Sequence, residues 1–104
     1  MTFDEYQSEA LRTAGNMGLA LWALGIVGEA GEVADHVKKV LGHGHAMDRD
    51  KLVKELGDVL WYLAALSNHI GVPLNEVATA NVDKLRERYP DGFNQERSRN
   101  REPK

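Results

Sequence analysis

The sequence predicts an all-α protein, an antiparallel bundle of four helices that assembles as a homo-oligomer. Three observations lead to this prediction. No segment alternates polar and apolar residues with period two, and β-branched residues never form a run. The three prolines, at positions 73, 90 and 103, all lie outside the apolar-periodic stretches. Four such stretches are separated by short connections, and short connections favour antiparallel neighbouring helices.

The first two helices have clear boundaries. The first runs from about residue 3 to 13, because Thr2 and Glu5 have the spacing of a capping box. Glycines at 15 and 18 then interrupt the pattern. The second runs from about residue 19 to 41 and ends at Gly42. It contains three internal glycines, and each costs about 1 kcal/mol relative to alanine, so we expect a close neighbour to offset that cost.

The third and fourth helices follow in the same way. Asp48 is a good N-cap for a helix over about residues 49 to 69. Gly71 and Pro73 separate it from a fourth helix over about residues 74 to 89. We expect residues 1–93 to form one helical domain and residues 94–104 to be a polar, flexible tail.

Composition excludes several classes of protein. The 104 residues carry 13 Lys+Arg and 16 Asp+Glu, a formal net charge of −3, which argues against nucleic acid as a partner. There is no cysteine, so disulfides, thiolate metal sites and a cysteine nucleophile are excluded. No apolar run approaches the roughly 20 residues that span a bilayer. With Asp4 and Glu5 at the amino end, we expect a cytoplasmic protein without membrane association.

Carboxylates embedded in apolar helix are the most informative feature. Glu29 and Glu32 are three residues apart in the second helix, and Glu55 and Asp58 are three apart in the third. Each pair therefore lies on one helix face. Acids at this spacing are common on solvated surfaces, but burying four ionised carboxylates together costs many kcal/mol unless a cation compensates. Mg²⁺ and Mn²⁺ prefer oxygen ligands, whereas a di-iron bundle would need Glu-x-x-His on two helices, which is absent.

These residues also carry a resemblance. Gly-Glu-Ala-Gly-Glu at 28–32, followed by Glu-Leu-Gly-Asp at 55–58, resembles the motif of the all-α MazG-like nucleotide pyrophosphohydrolases, and segments near 81–85 and 88–93 extend the similarity. The chain looks most like the small single-domain members. The resemblance implies Mg²⁺-dependent hydrolysis of a nucleoside triphosphate to the monophosphate and pyrophosphate, with Mn²⁺ as a substitute, in nucleotide pool cleansing. It also implies a homodimer or homotetramer.

The resemblance assigns the four acids as metal ligands: Glu29, Glu32, Glu55 and Asp58. Gly28 stands where the fullest form of the family motif has another Glu. The number of metal ions and the identity of the general base therefore stay open, and Glu29 is our candidate for the residue that orients or deprotonates the attacking water.

Substrate-binding candidates lie on three helices. In the fourth, Asn81, Lys84 and Arg88 form a stripe at steps of three and four, and its Asn-x-x-Lys segment matches the family. A triphosphate needs such cations, although a basic stripe is often only a solvated face. Lys54, four residues before Asp58, is either an ion-pair partner or a substrate contact.

Two aromatic residues have helical spacing from the acids. Tyr62 lies four residues after Asp58, and Trp22 lies seven before Glu29. Either can stack on the base or sugar of a nucleotide, or pack in the core.

Two alternatives to the general triphosphate hydrolase remain. One is a dUTP/dCTP-type pyrophosphatase on the same fold, and the other is a non-catalytic helical interaction module whose acids are surface charges.

Overall fold

A computed structural model describes residues 1–100, which form helices joined by short connections. The described part of the chain contains no β-strand, so the predicted all-α class is confirmed. The elements are α1 (Phe3–Ala10), a 3₁₀ turn (Leu11–Thr13), α2 (Leu19–Gly42), α3 (Arg49–His69), α4 (Leu74–Arg88) and α5 (Gln95–Asn100). Among residues 1–100, no helix is long and apolar enough to span a membrane.

Local capping explains where two of the helices begin. The Thr2 hydroxyl accepts from the Glu5 N–H at 3.0 Å, and the Glu5 carboxylate accepts from the Thr2 N–H at 2.8 Å. The hydrogen bond from the Thr2 backbone, and then that from its hydroxyl, lower the pKa of Glu5. Asp48 accepts from the Lys51 N–H at 3.0 Å at the start of α3. These hydrogen bonds confirm both predicted caps. The caps could be predicted because each depends only on residues close in sequence.

The carboxyl end of the chain contains a short helix that the sequence analysis did not anticipate. This helix, α5, begins directly after Asn94, whose side chain accepts a hydrogen bond from the Arg97 N–H at 3.1 Å. The Arg97 guanidinium also donates to the Arg88 carbonyl at 3.3 Å, which connects α5 to the end of α4. Residues 101–104, the rest of the expected flexible tail, lie outside the described residues.

Helices α2 and α3 form an antiparallel hairpin, which is the most extensive helix contact in the chain. Gly25 lies against Tyr62 so closely that an added Cβ would overlap the Tyr62 ring. Trp22 packs on Trp61 edge to face, with ring centroids 5.6 Å apart. The close neighbour expected for the glycines is therefore present at Gly25, where a larger residue would push the two helices apart.

Helix α1 packs beside the junction of α3 and α4 and forms hydrogen bonds with both helices. The buried Gln7 side chain donates to the Ala64 carbonyl at 3.0 Å and accepts from the Leu74 N–H at 3.0 Å. The Asp4 carboxylate accepts from the Asn75 N–H at 2.9 Å. Helix α4 has no side-chain cap of its own, so α1 supplies acceptors for the orphan N–H groups of its first turn.

A single chain buries little apolar surface. Its buried apolar residues are Trp22, Ala64, Ala65 and Leu74. The radius of gyration is 16.6 Å, compared with about 13 Å for a compact domain of 100 residues. Many large apolar side chains on α2 and α3 remain exposed, including Leu24 at 65% and Val27 at 70%. The hairpin therefore presents an unusually apolar outer surface to its surroundings.

We expect Gln7→Leu to lower the free energy of unfolding by about 1–3 kcal/mol, because the Leu74 N–H and the Ala64 carbonyl lose their buried partner. Urea unfolding followed by circular dichroism measures this change. Ser8→Ala, at an exposed position on the same helix, is the control and should change it by less than about 0.5 kcal/mol. Equal stability of Gln7→Leu and the control would mean that the Gln7 hydrogen bonds contribute nothing net.

Candidate active site

The antiparallel hairpin places both acid pairs along the same stretch of α2 and α3. Gly25 opposes Tyr62 at one end of this stretch, and His36 opposes Glu55 at the other. On α2, Glu29 and Glu32 lie between these two contacts. On α3, Asp58 lies between them as well. The pairs that the sequence analysis singled out thus belong to one region of the fold.

A cavity of about 330 Å³ opens between α2, α3 and the loop that joins them. Two of the four predicted ligands line it: Glu32 from α2 and Glu55 from α3. Its other lining residues are Asp35, His36, Lys39, Val40, His45, Ala46, Asp48 and Lys51. A cavity lined by carboxylates from two helices and by lysines is suited to a cation and an anionic ligand together.

Glu55 is the most unusual residue of the cavity. It is only 9% exposed, and its Oε1 atom has no hydrogen-bond partner within residues 1–100. The nearest basic group is the His36 ring, whose Nδ1 lies 3.6 Å from that oxygen. A buried carboxylate oxygen without a partner is costly unless a cation compensates it. The oxygen donors of Glu32 and Glu55 fit a hard divalent ion.

The other two predicted ligands lie outside the cavity wall. Glu29 is half-buried, and Asp58 is exposed. Burial, and less strongly the negative charge of Asp58, raise the pKa of Tyr6 on α1. In the described part of the chain, no three His, Asp or Glu side chains are close enough together to hold a metal ion. The structure therefore places two of the four acids on one cavity wall, and the ligand roles of all four stay predictions.

The cationic side of the cavity centres on Lys39. Its ammonium group lies 2.9 Å from Asp35, and Lys38 lies 3.3 Å from the other oxygen of the same carboxylate. The hydrogen bond with Asp35, and more weakly the charges of Glu32 and Glu55, raise the pKa of Lys39. Hydrogen bonds from Lys39 and then from Lys38 lower the pKa of Asp35.

The connecting loop folds back over the end of α2. The backbone N–H groups of His43 and His45 both donate to the Lys39 carbonyl, each at 3.1 Å. The backbone N–H of Asp48, the N-cap of α3, donates to Nε2 of His36 at 3.4 Å. These contacts place the His45 side chain on the cavity wall.

The predicted aromatic contacts belong to a cluster on the hairpin. Trp22 is 4% exposed, and its ring centroid lies 6.3 Å from that of Tyr62. Tyr62 is half-buried, with its ring 5.0 Å from Trp61. In this chain Trp22 packs in the core, and neither residue lines the acidic cavity. Stacking of either residue on a nucleotide stays a prediction.

The basic stripe on α4 lies apart from the acidic cavity in a single chain, because α4 packs against α1 and α3. Asn81 and Lys84 are exposed, while Arg88 is half-buried. Lys54 is also exposed and has no ion pair within residues 1–100. None of these four residues lines the cavity.

The basic residues of the cavity were not predicted from the sequence as site residues: His36, Lys39, His45 and Lys51. A signal existed for three of them, since His36 follows Glu32 by four residues, Lys39 follows it by seven, and Lys51 precedes Glu55 by four. All three spacings place the residue on the same helix face as a predicted ligand. Nothing in the local pattern marks His45, which reaches the cavity through the fold of the loop.

Known proteins similar to the chain were found by two of three comparisons. Residues 19–93 match a family described as the MazG nucleotide pyrophosphohydrolase domain. The chain is also similar to the "Gene 37 protein" of Mycobacterium phage L5, with 43% identity over 88 residues that cover 81% of this chain and 77% of the phage protein. No solved structure matches the chain significantly.

We expect Lys39→Met to raise the pKa of Asp35 from its depressed position toward the ordinary value of 3.8, because the principal hydrogen-bond donor is removed. Carboxyl-carbon NMR titration measures this pKa. A depressed carboxyl pKa contributes stability above the pKa of the unfolded chain, and this contribution is lost as pH falls through the folded pKa. Lys38→Met should give a smaller shift, and an equal or larger one would contradict the order of the two interactions.

Proposed function

Because the chain belongs to the family of MazG nucleotide pyrophosphohydrolase domains, we propose that it hydrolyses nucleoside triphosphates to the monophosphate and pyrophosphate in the presence of Mg²⁺. The observation that carries this proposal is the presence of two carboxylates from different helices, Glu32 and Glu55, on one cavity wall that also contains lysines. Such a site can hold a cation on its acidic side and phosphate oxygens on its basic side.

Glu32 and Glu55 hold the ion in this proposal, and Glu29 and Asp58 join them from the neighbouring turns of the same helices. The burial of the Glu55 carboxylate supports this assignment, since a divalent ion held by its Oε2 would compensate the buried charge. When bound by these carboxylates, Mg²⁺ would supply Lewis-acid stabilisation of the charge on the phosphate oxygens and on the departing pyrophosphate. Mn²⁺ is expected to substitute because it accepts the same oxygen ligands.

Glu29 accepts the proton of the attacking water in the proposed reaction. As the water oxygen bonds to the α-phosphorus, the bond from that phosphorus to the bridging oxygen breaks and pyrophosphate leaves with it. A half-buried carboxylate next to the metal ligands suits this role. Gly28 offers no second carboxylate, so Glu29 is the general-base candidate on this part of α2.

The basic residues of the chain supply the remaining contacts with substrate. Lys39 and Lys51 already line the cavity, where they can balance phosphate charge. Asn81, Lys84 and Arg88 on α4 are proposed to bind the triphosphate as well, which requires α4 to approach a cavity. A second copy of the chain can bring it there.

We propose that the second copy packs on the exposed apolar stripes of the hairpin. On α2 the stripe contains Leu21, Leu24 and Val27, and on α3 it contains Val53, Leu56 and Leu63. The residues of each stripe are spaced at helical intervals, so each stripe forms a continuous apolar face of its helix. Gly28 and Gly31 lie beside the α2 stripe with open space above them, which lets a partner helix approach closely. A homodimer or homotetramer buries these faces.

We expect purified protein to release pyrophosphate from nucleoside triphosphates with Mg²⁺, and Glu32→Gln or Glu55→Gln to reduce that rate at least about 100-fold. Glu9→Gln, an exposed carboxylate paired with Arg12, is the matched control and should retain full activity. A panel of all common triphosphates, with products separated by chromatography, measures the rates. Activity confined to dUTP or dCTP would support the narrower pyrophosphatase, and no pyrophosphate release together with no Mn²⁺ binding would support the interaction module.

We expect Leu24→Glu to shift the protein from an oligomer to a monomer, because it places a charge in the centre of the apolar α2 stripe. Analytical ultracentrifugation at about 10 µM protein, where a stable oligomer with sub-micromolar Kd stays assembled, measures the mass. Leu41→Glu, at a leucine that is more exposed than Leu24 and lies away from the stripe, should leave the mass unchanged. A wild-type protein that sediments as a monomer would contradict the assembly.

A further inference from the structure

We propose that His36 is a positioning residue for the metal ligand Glu55, which it holds through its Nδ1–H group. This inference rests on the proposed function, since it concerns how the chain prepares Glu55 for the divalent ion. The side chains involved are on the cavity wall, and both His36 and Glu55 are about nine-tenths buried.

The nitrogen of His36 that faces Glu55 is Nδ1. The hydrogen bond from Asp48 decides whether this nitrogen carries the hydrogen and can act as a donor. The Asp48 backbone N–H points to Nε2, so Nε2 must carry a lone pair and not a hydrogen. In the neutral ring the proton is then on Nδ1. The N-cap residue of α3 thereby selects the tautomer that presents an N–H to the carboxylate.

Glu55 offers the complementary acceptor. Its Oε1 is buried, has no hydrogen-bond partner within residues 1–100, and lies 3.6 Å from Nδ1 of His36. This distance exceeds the roughly 2.7–3.2 Å of an N–H···O hydrogen bond, so a small displacement of the carboxylate toward the ring forms the bond. With Oε1 restrained by His36, Oε2 is the oxygen left for the ion.

The same contacts join the ligand to the rest of the site. His36 lies one helical turn after Glu32, so the α2 face that supplies one ligand also orients the ligand on α3. Through Asp48, His36 also contacts the end of the loop that carries His45. Partners that orient metal-binding carboxylates restrict their motion before the ion arrives, and their loss typically weakens metal affinity about 10–100-fold.

Three substitutions of His36 separate positioning from packing. His36→Asn keeps a donor nitrogen near the place of Nδ1, His36→Gln keeps a polar group near the place of Nε2, and His36→Leu removes both. Isothermal titration of the metal-free protein with MnCl₂, without nucleotide, measures the affinity directly. Thermal unfolding in EDTA shows that each variant is folded.

We expect His36→Leu and His36→Gln to weaken Mn²⁺ binding about 10–100-fold, and His36→Asn to stay within about threefold of wild type. The Mg²⁺ concentration for half-maximal hydrolysis should rise in parallel, with kcat at saturating Mg²⁺ changed much less. If His36→Leu does not fold, the comparison of His36→Asn with His36→Gln decides, because a purely structural role predicts equal affinities for the two.

Wild-type affinity in His36→Gln or His36→Leu would overturn the role of His36 and leave the proposed hydrolase intact. Failure of the wild-type protein to bind Mn²⁺ would overturn both proposals. Mn²⁺ affinity could instead depend on Glu55 and be equal in all three His36 variants. That result would overturn this inference and leave the proposed function intact.

Discussion

The register of α2 against α3 is the constraint on which the rest of the structure depends. It is set by the close approach of Gly25 to Tyr62 and by the edge-to-face packing of Trp22 on Trp61. A helix advances about 1.5 Å per residue, so a slip of one turn would move Glu32 about 5.4 Å along the helix axis relative to Glu55. Such a slip would separate the two carboxylates. An aromatic cluster outside the cavity thus maintains the geometry of the acids inside it.

The acidic cavity combines the buried carboxylate of Glu55 with the exposed carboxylate of Glu32 and an ion pair between Asp35 and Lys39. Glu55 has an unpartnered oxygen, Glu32 faces the same cavity, and Lys39 is held nearby by Asp35. Asp35 pairs with the ammonium group of Lys39. The carboxylates of Glu32 and Glu55 therefore remain available to bind a cation. This distribution suits a ligand that brings both a cation and phosphate oxygens, and it agrees with the family to which the chain belongs.

Much of the fold could be predicted because its signals are local. The capping box at Thr2 and the N-cap at Asp48 determine helix ends through residues within one turn, and three-residue spacing placed each acid pair on one face. The cavity wall could not be predicted in full, because His45 reaches it through the folded loop. The distance of the α4 stripe from the cavity could not be predicted either, since it depends on how α4 docks on α1 through Gln7. Short-range hydrogen bonding can be inferred from sequence, whereas the docking of helices depends on side chains distant along the chain.

Gly28 occupies the position of a motif carboxylate, yet an added Cβ there would meet no atom within 4 Å in the described chain. The missing acid is therefore not a result of crowding inside the protomer. Its replacement by the smallest residue lowers the negative charge on α2 and leaves a notch beside an apolar face. In the proposed assembly, a glycine at this position removes a carboxylate beside Glu29 and leaves room for a second chain to pack closely on α2.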